Sequence, residues 1–330
     1  MFLSSLKTAV KVLLRRKFFT AASLFGISFT LVVLMVAAAM FDHVFAPRAP
    51  EVNASRSVGV YAATLQGPHW QHNGPPGYKL LSQTIRNLPG AERVTLHTGP
   101  SDEVAFRNGK RISLQLKRTD GDFWRVFQFK FLEGGPFTDD DDAYARFVAV
   151  INESTRRRYF GTEKAVGQAI EVGGQRFRVV GVVPDIPALR IVVYSDVWVP
   201  IRTAPNDSYK SQYIGSFLGT ILAKSKADIP QIQEEYRRRV SQLPPVEDKG
   251  TLTAEAATLF ETFATMTFRD SRRAVAKMAG VFAAAALLFM ILPTLNLINL
   301  NVSRILERAS EIGVRKAFGA SSRVLVGQFL

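Results

Sequence analysis

Side chains able to do chemistry are thinly spread along this sequence of 330 residues. His69 and His72 are three positions apart and could share a metal ion, but they lie in a Gly/Pro-rich loop without a nearby acid. The acidic run at residues 139–142 lacks the spaced ligands of a calcium loop, so we interpret it as a solvated turn. We therefore predict neither a metal site nor a catalytic site at these positions.

Three signature motifs of enzymes are absent from the sequence. It contains no Gly-x-x-x-x-Gly-Lys-Ser/Thr phosphate loop, no Gly-x-Ser-x-Gly nucleophile elbow and no His-Glu-x-x-His zinc helix. It also has no cysteine, which excludes disulfides and thiolate-ligated zinc within the chain. We predict that the protein is not an enzyme, has no cofactor of its own, and does not bind ATP through a phosphate loop in these residues.

Two long uncharged stretches lie on either side of the middle segment and must position it. Residues 18–41 are 24 consecutive positions without an ionisable side chain, and residues 278–303 are 26. As helices these stretches measure about 36 Å and about 39 Å, and each exceeds the roughly 30 Å hydrocarbon layer of a bilayer. We predict two transmembrane helices, the second being part of a continuous rod that begins near Phe263. For the first stretch, a secretory signal cleaved near residues 37–39 is the alternative.

Positive charge flanks both uncharged stretches. Of the formal net charge of +14, residues 1–17 carry +5 and residues 304–330 carry +3, while the long middle segment intersperses acids and bases. Basic flanks of this kind follow the positive-inside rule, so we predict cytoplasmic termini and a periplasmic or extracellular position for residues 42–277. The same distribution argues against nucleic acid as a partner. Residues 2–17 form an amphipathic pattern expected to lie on membrane lipids.

The middle segment mixes strand and helix patterns, so the predicted fold class is α+β. Hairpins are predicted over residues 104–116, around Asn108-Gly109, and over residues 169–183, around Gly173-Gly174. Further strands are predicted at residues 58–61, 147–151, 197–201 and 217–223. Helices are predicted at residues 78–88, 123–127, 153–160 and 229–243. Residues 47–77 are otherwise rich in Gly and Pro and are predicted to be irregular.

Two sets of residues resemble one family of membrane proteins. The string Glu311-Ile-Gly-Val-Arg-Lys-Ala-Phe-Gly-Ala is similar to the segment after the second span of MacB/LolC/LolE/FtsX-type (type VII) ABC transporter permeases. The strings beginning at Val150 (Val-Ile-Asn-Glu-Ser), Val166 (Val-Gly-Gln) and Arg178 (Arg-Val-Val-Gly-Val-Val-Pro-Asp-Ile-Pro) are similar to that family's periplasmic core domain. Such permeases usually continue through two further spans, whereas this chain stops at Leu330, so we expect a shortened product or a second polypeptide that carries the rest.

The resemblance implies a permease that works as a mechanical lever in the bacterial inner (cytoplasmic) membrane. A cytoplasmic ATP-binding cassette ATPase subunit hydrolyses ATP, and the permease transmits the motion to its periplasmic domain for export or extraction of a substrate. A homo- or heterodimeric permease partner is implied, and a periplasmic adaptor is a further candidate partner. The residues that the resemblance assigns to ATPase contact are Glu311, Gly313, Arg315, Lys316, Ala317, Gly319 and Ala320.

The resemblance also implies a division of the chain. The expected parts are a cytoplasmic amphipathic helix at residues 1–17, transmembrane helix 1 at 18–41, a periplasmic core domain at 42–262, a stalk with transmembrane helix 2 at 263–303, and a cytoplasmic coupling segment at 304–330. Within the core domain, a porter-like part comprises residues 46–115 and 216–262, and an inserted β-rich lobe comprises residues 116–215.

Two other classes of protein fit the same sequence. An FtsX-like two-span sensor or scaffold would regulate a periplasmic partner without moving any cargo. A membrane-anchored enzyme would need a catalytic cleft in the exported segment.

Overall fold

A computed structural model describes residues 17–107, 109–246, 250–268, 273–307 and 309–319. The chain forms two compact units, Met1–His43 with Ala276–Leu330 and Val44–Val275, which we call the membrane unit and the core unit. Several predictions fall outside the described residues: the amphipathic helix before Lys17, the turn residue Asn108, the contact residue Ala320, and the continuity of the rod through residues 269–272.

The helices and strands alternate irregularly along the chain. The helices are α1 (Lys17–Phe45), α2 (Tyr78–Thr84), α3 (Phe123–Val126), α4 (Asp139–Ala143), α5 (Glu153–Phe160), α6 (Ile229–Ser241), α7 (Leu259–Phe268), α8 (Ala274–Glu307) and α9 (Ala309–Ala317). The strands are β1 (Ser57–Val60), β2 (Ala63–Gln66), β3 (Gln71–Gly74), β4 (Ala91–Thr98), β5 (Ser101–Arg107), β6 (Lys110–Thr119), β7 (Glu133–Gly134), β8 (Val148–Asn152), β9 (Ala169–Val172), β10 (Gln175–Val183), β11 (Val197–Pro200), β12 (Phe217–Ala223) and β13 (Thr251–Ala254).

Helices α1 and α8 contain stretches long and apolar enough to cross a membrane, Leu24–Asp42 and Ala274–Leu295. Their large apolar side chains are exposed; Phe25 on α1 is 71% exposed and Leu287 on α8 is 65% exposed. Exposing such surface to water is unfavourable, and lipid removes the penalty. Pro293 lies inside α8. Transmembrane helices tolerate an internal proline better than soluble ones, because neighbouring groups satisfy the freed carbonyl.

The core unit is built on a 10-stranded mixed sheet. Its strand order is β1-β12-β4-β6-β11-β8-β10-β9-β5, and β7 pairs with β10. Strand β5 also pairs with β6, so β6, β11, β8, β10, β9 and β5 close a circuit of strands. A second sheet has the order β13-β2-β3.

Separate hydrophobic cores hold the core unit together. The first joins residues far apart in sequence, including Val58 on β1, Leu80 on α2, Ile221 on β12 and Tyr236 on α6. The second lies within the circuit of strands and under α5, and includes Ala105, Ile151 and Phe177. A third is aromatic: Phe123 and Trp124 of α3 pack with Trp198 of β11.

Both predicted hairpins are confirmed. Strands β5 and β6 pair antiparallel, with Phe106 opposite Arg111 and Arg107 opposite Lys110. Strands β9 and β10 pair across Gly173-Gly174, whose φ angles of 58° and 72° suit a tight hairpin turn that glycine adopts without steric cost. The strand and helix predictions are also confirmed, except that α2 ends at Thr84, several residues earlier than predicted.

Two predictions about local structure were wrong. Residues 139–142 are not a solvated turn but begin α4, because Thr138 caps it: the Asp141 backbone N–H donates to Thr138 Oγ1 and the Thr138 N–H donates to Asp141 Oδ2. Residues 47–77 are less irregular than predicted, since β2 and β3 pair within them and with β13. Strand β4 was missed because three of its four buried residues, Thr95, His97 and Thr98, are polar.

Candidate coupling segment and buried junction

Helix α9 carries most of the residues that the sequence assigned to ATPase contact. Arg315 Nη2 lies 2.6 Å from Glu311 Oε1, one helical turn away. Positions 311, 314, 315 and 318 share one face of a helix. On that face the ion pair is flanked by Val314, which is 57% exposed, and Phe318, which is 87% exposed. The face therefore presents apolar side chains next to a charge pair.

The end of α9 is fixed by a left-handed glycine. Gly319 has a φ of 89°, and its N–H donates to the Lys316 carbonyl at 3.1 Å. The Phe318 N–H donates to the Val314 carbonyl at 3.1 Å. This is the geometry in which helices commonly end, and it satisfies carbonyls that the last turn leaves unpaired. Lys316 in the last turn also complements the negative end of the helix dipole.

Small residues mark a second face of α9. Gly313 and Ala317 are four positions apart, so both lie on that face, and both are exposed. Small side chains let another backbone approach closely. The structure therefore places Glu311, Gly313, Arg315, Lys316 and Ala317 on one exposed helix. Gly319 follows directly after it.

A buried ion pair in the core unit was not found from the sequence. Arg190 Nη1 lies 2.8 Å from Glu51 Oε2, and the two side chains are 4% and 13% exposed. The same guanidinium donates to the carbonyls of Ala46 at 3.1 Å and Arg48 at 3.5 Å. Burial raises the pKa of Glu51, and the hydrogen bond and positive charge of Arg190 oppose that shift.

Lys117 is the second buried cation of this region, which we call the buried junction (Ala46, Glu51, Lys117 and Arg190). Its Nζ donates to the carbonyls of Val192 at 2.7 Å and Ile191 at 3.2 Å. Burial lowers the pKa of Lys117 to about 7, and the negative charge of Glu51 acts in the opposite direction.

A cavity of about 130 Å³ adjoins the junction. Its lining includes Glu51 and Arg190, Ala46 just after α1, and Leu259 and Phe260 at the start of α7. The chain segments that leave α1 and lead towards α8 therefore meet at one place on the core unit. The arrangement can tie these segments to the core unit.

The sequence contained one signal for this junction. Arg190 is the only charge in the apolar stretch from residue 186 to 193, and an arginine buried with such a stretch requires a partner. His69 and His72, by contrast, are exposed on the turn before β3 and on β3 itself. Within the described ranges, no three His, Asp or Glu side chains gather in an arrangement that could hold a metal ion.

The model of the MacB-like periplasmic core domain family matches residues 20–239. The chain belongs to this family. The resemblance to MacB-type ABC transporter permeases and the predicted mixed α/β domain between two apolar helices are thereby confirmed. A MacB-like domain combined with two apolar helices also makes the chain a membrane protein with a periplasmic segment.

Two relatives of this MacB-like chain are named export proteins. The macrolide export ATP-binding/permease protein MacB of Chromobacterium violaceum is 25% identical over 280 residues, which are 83% of this chain and 42% of the relative. The pyoverdine export ATP-binding/permease protein PvdT of Pseudomonas syringae pv. tomato is 26% identical over 336 residues, 99% of this chain and 48% of the relative. The chain thus spans less than half the length of these relatives.

Among solved structures, the periplasmic region of MacB from Actinobacillus actinomycetemcomitans is similar at a TM-score of 0.42 and 17% identity, covering 59% of this chain and 89% of that structure. A domain of a putative permease protein from Porphyromonas gingivalis is similar at a TM-score of 0.47 and 15% identity, covering 63% of this chain and 91% of that one.

Proposed function

We propose that the MacB-like chain is the permease subunit of an ABC transporter and couples ATP hydrolysis by a cytoplasmic partner to movement of its periplasmic domain. The observation that carries the proposal is one MacB-like domain whose two ends continue into apolar helices, the second of which is followed by an exposed charged helix. The names of the relatives support a permease role, since both are described as ATP-binding/permease proteins for export.

The proposal includes an orientation in the bacterial inner membrane. Both termini lie in the cytoplasm, and residues 42–277 lie in the periplasm, because the basic residues flank the apolar stretches on their outer sides. Residues 1–330 contain no phosphate loop, and the proposal places the ATP-hydrolysing site on a partner subunit. The chain itself is not an enzyme. A second permease copy or homologue and a periplasmic adaptor complete the proposed assembly.

The division of the core domain is part of the same proposal. The porter-like part, residues 46–115 and 216–262, is supported by the first core, which joins β1 and α2 with β12 and α6. The inserted lobe, residues 116–215, is supported by the second core. Ala105 and Leu114 of the β5–β6 hairpin pack in that second core, which favours assigning the hairpin to the lobe.

Helix α9 is the proposed contact with the ATPase, through Glu311, Gly313, Arg315, Lys316 and Ala317, with Gly319 and Ala320 following. An exposed helix with apolar, charged and small-residue faces can dock into a groove of a partner protein. The exposed Phe318 supplies an aromatic side chain of the kind that anchors protein interfaces.

Copurification of the chain with an ATP-binding cassette ATPase tests the proposal. We expect the wild-type chain to retain the ATPase, and Glu311→Lys to lose most of it, because the change places a cation next to Arg315 on the docking face. Glu234→Lys is the matched control: Glu234 forms an exposed helical ion pair with Arg237 on α6, in the periplasmic domain. That control should retain the ATPase as the wild type does.

Two results would contradict the proposed function. The wild-type chain could fail to retain any ATPase from cells that carry one encoded beside it, which would favour the sensor or scaffold alternative. Equal retention by Glu311→Lys and Glu234→Lys would show that α9 is not the contact.

A further inference from the structure

The loop between β10 and β11 reverses the usual arrangement of polar and apolar side chains. Leu189 is 52% exposed and Ile191 is 53% exposed, whereas the charged side chain between them, Arg190, is 4% exposed. Pro187 and Ala188 just before them are exposed as well. In a loop that faces water, the arginine would be outside and the leucine and isoleucine inside.

Two buried basic side chains, Arg190 and Lys117, hold this loop in its reversed arrangement. Arg190 is anchored by Glu51 and by the Ala46 carbonyl. Lys117 donates to the carbonyls of Ile191 and Val192 from below the loop. Exposure of the two apolar side chains is therefore a fixed feature of the core unit, maintained by the buried hydrogen bonds of Arg190 and Lys117.

The contact between Arg190 and the Ala46 carbonyl ties the loop to a residue that closely follows the first apolar helix in the chain. Ala46, whose carbonyl Arg190 holds, is four residues after Asp42, the end of the apolar stretch of α1. Four residues span at most about 14 Å. The polar interfacial layer of a bilayer is itself several ångströms thick on each side. A loop one arginine side chain away from Ala46 is thus within reach of that layer.

We propose that Leu189 and Ile191 insert into the outer interfacial layer of the membrane and seat the core unit on the lipid surface. The occupant of this exposed patch is lipid because its exposed side chains, Leu189 and Ile191, are apolar and the loop is tied to a segment that leaves the bilayer. Because the inserting side chains, Leu189 and Ile191, are uncharged, we expect their contact with lipid to depend on apolar insertion and not on anionic head groups.

A matched control lies at the other end of the sheet. Phe106 on β5 is 63% exposed and apolar. Its neighbour Ala105 pairs with Val172 of β9, which pairs with Gln175 at the start of β10. The loop follows Val183 at the opposite end of β10, eight residues and about 26 Å from Gln175. A label at Phe106 therefore reports an apolar position far from the proposed lipid contact.

The absence of cysteine makes single labels specific. Leu189→Cys, Ile191→Cys and Phe106→Cys, each in the full chain, are labelled with an environment-sensitive fluorophore and reconstituted into phosphatidylcholine vesicles. A fraction of the lipid carries a nitroxide quencher near the head group. We expect blue-shifted emission at Leu189 and Ile191 and at least about twofold more quenching by the lipid nitroxide than at Phe106. Adding anionic phosphatidylglycerol should leave that ratio unchanged.

Two results would overturn the inference. Labels at Leu189 and Ile191 could be quenched by aqueous iodide as readily as the label at Phe106, which would place the loop in water. They could instead be shielded from both quenchers while Leu189→Cys forms a disulfide with a second copy, which would make the loop an interface between copies. Since the inference rests on the proposed topology, a membrane-impermeant maleimide applied to cells expressing Phe106→Cys tests the topology separately: reaction from outside confirms it whatever the vesicles show.

Discussion

Two arginine–glutamate pairs in this molecule have opposite surroundings. Glu51 and Arg190 are 139 residues apart, nearly inaccessible to solvent, and connect the segment after α1 to the loop before β11. Glu311 and Arg315 are four residues apart on one helix, and each side chain is about half exposed. The distances are similar, 2.8 Å and 2.6 Å, so the contact itself does not distinguish them.

The two pairs differ in how much stability the protein loses when one partner is removed. Losing one partner of a buried pair leaves a charge without water or a counter-ion, whereas losing one partner of an exposed pair leaves it hydrated. The buried pair is therefore part of the structure of the periplasmic domain. The exposed pair contributes little to stability, and its proposed role is recognition of another protein.

The largest effect on stability is expected from Arg190→Ala. The change leaves Glu51 buried without its counter-charge and frees the Ala46 carbonyl, which should lower the free energy of unfolding by about 3–5 kcal/mol. Denaturant unfolding of the purified chain in detergent, followed by the fluorescence of the buried Trp124 and Trp198, measures the change. A loss below about 1 kcal/mol, the range of exposed pairs, would remove the distinction between the two pairs.

Removing both charges of the buried pair should lower the free energy of unfolding less than removing one charge. Glu51→Gln combined with Arg190→Met fills similar space and leaves neither charge of the pair buried without the other. We expect the double variant to recover most of the stability that Arg190→Ala loses, in the same unfolding measurement. If the double variant is the less stable of the two, the Arg190 hydrogen bonds to backbone carbonyls outweigh the charge pairing.

The pH dependence of stability should report on Lys117. Burial lowers its folded pKa to about 7, against 10.5 for an ordinary lysine. Between these values the unfolded chain binds more protons than the folded chain, so the free energy of unfolding rises as the pH increases from about 7 towards about 10. We expect a higher melting temperature at about pH 9 than at about pH 7, and a smaller difference in Lys117→Met. An unchanged difference would show that Lys117 is charged in the folded protein at both values.

The smallest effect on stability is expected from Glu311→Lys. An exposed ion pair one helical turn apart contributes about 0.3–0.5 kcal/mol, so the melting temperature should barely move. The same variant is expected to lose the ATPase. A large drop in melting temperature would mean that the pair supports the fold, and the loss of the partner could then be a consequence of unfolding.

Much of this fold could be predicted from local patterns. The Asn108-Gly109 and Gly173-Gly174 turns lie between alternating strands, so the hairpins were evident, and the uncharged stretches identified α1 and α8. Strand β4 was missed because Thr95, His97 and Thr98 are polar although buried. Their burial depends on partners distant in sequence; His97 Nε2, for example, lies 3.2 Å from the Thr220 hydroxyl oxygen.

The two candidate sites also differ in how far they could be predicted from local sequence. The residues of α9 could be assigned because they are contiguous and resemble a family segment. The buried junction could not, because Glu51, Lys117 and Arg190 come from three distant parts of the chain. Only the isolated arginine in an apolar stretch gave a local signal, and nothing in the sequence indicated which acid it meets.

The central claim is that ATP hydrolysis by a cytoplasmic partner moves the periplasmic domain of this chain. Hydrogen–deuterium exchange of that domain in the assembled complex tests the claim most directly. The claim predicts that ATP added to the complex of this chain with its ATPase changes exchange in α7 and in the segment that holds Glu51, and that Glu311→Lys abolishes the change. The result that would contradict it is an active, stably bound ATPase whose ATP hydrolysis leaves exchange in residues 44–275 the same as without ATP.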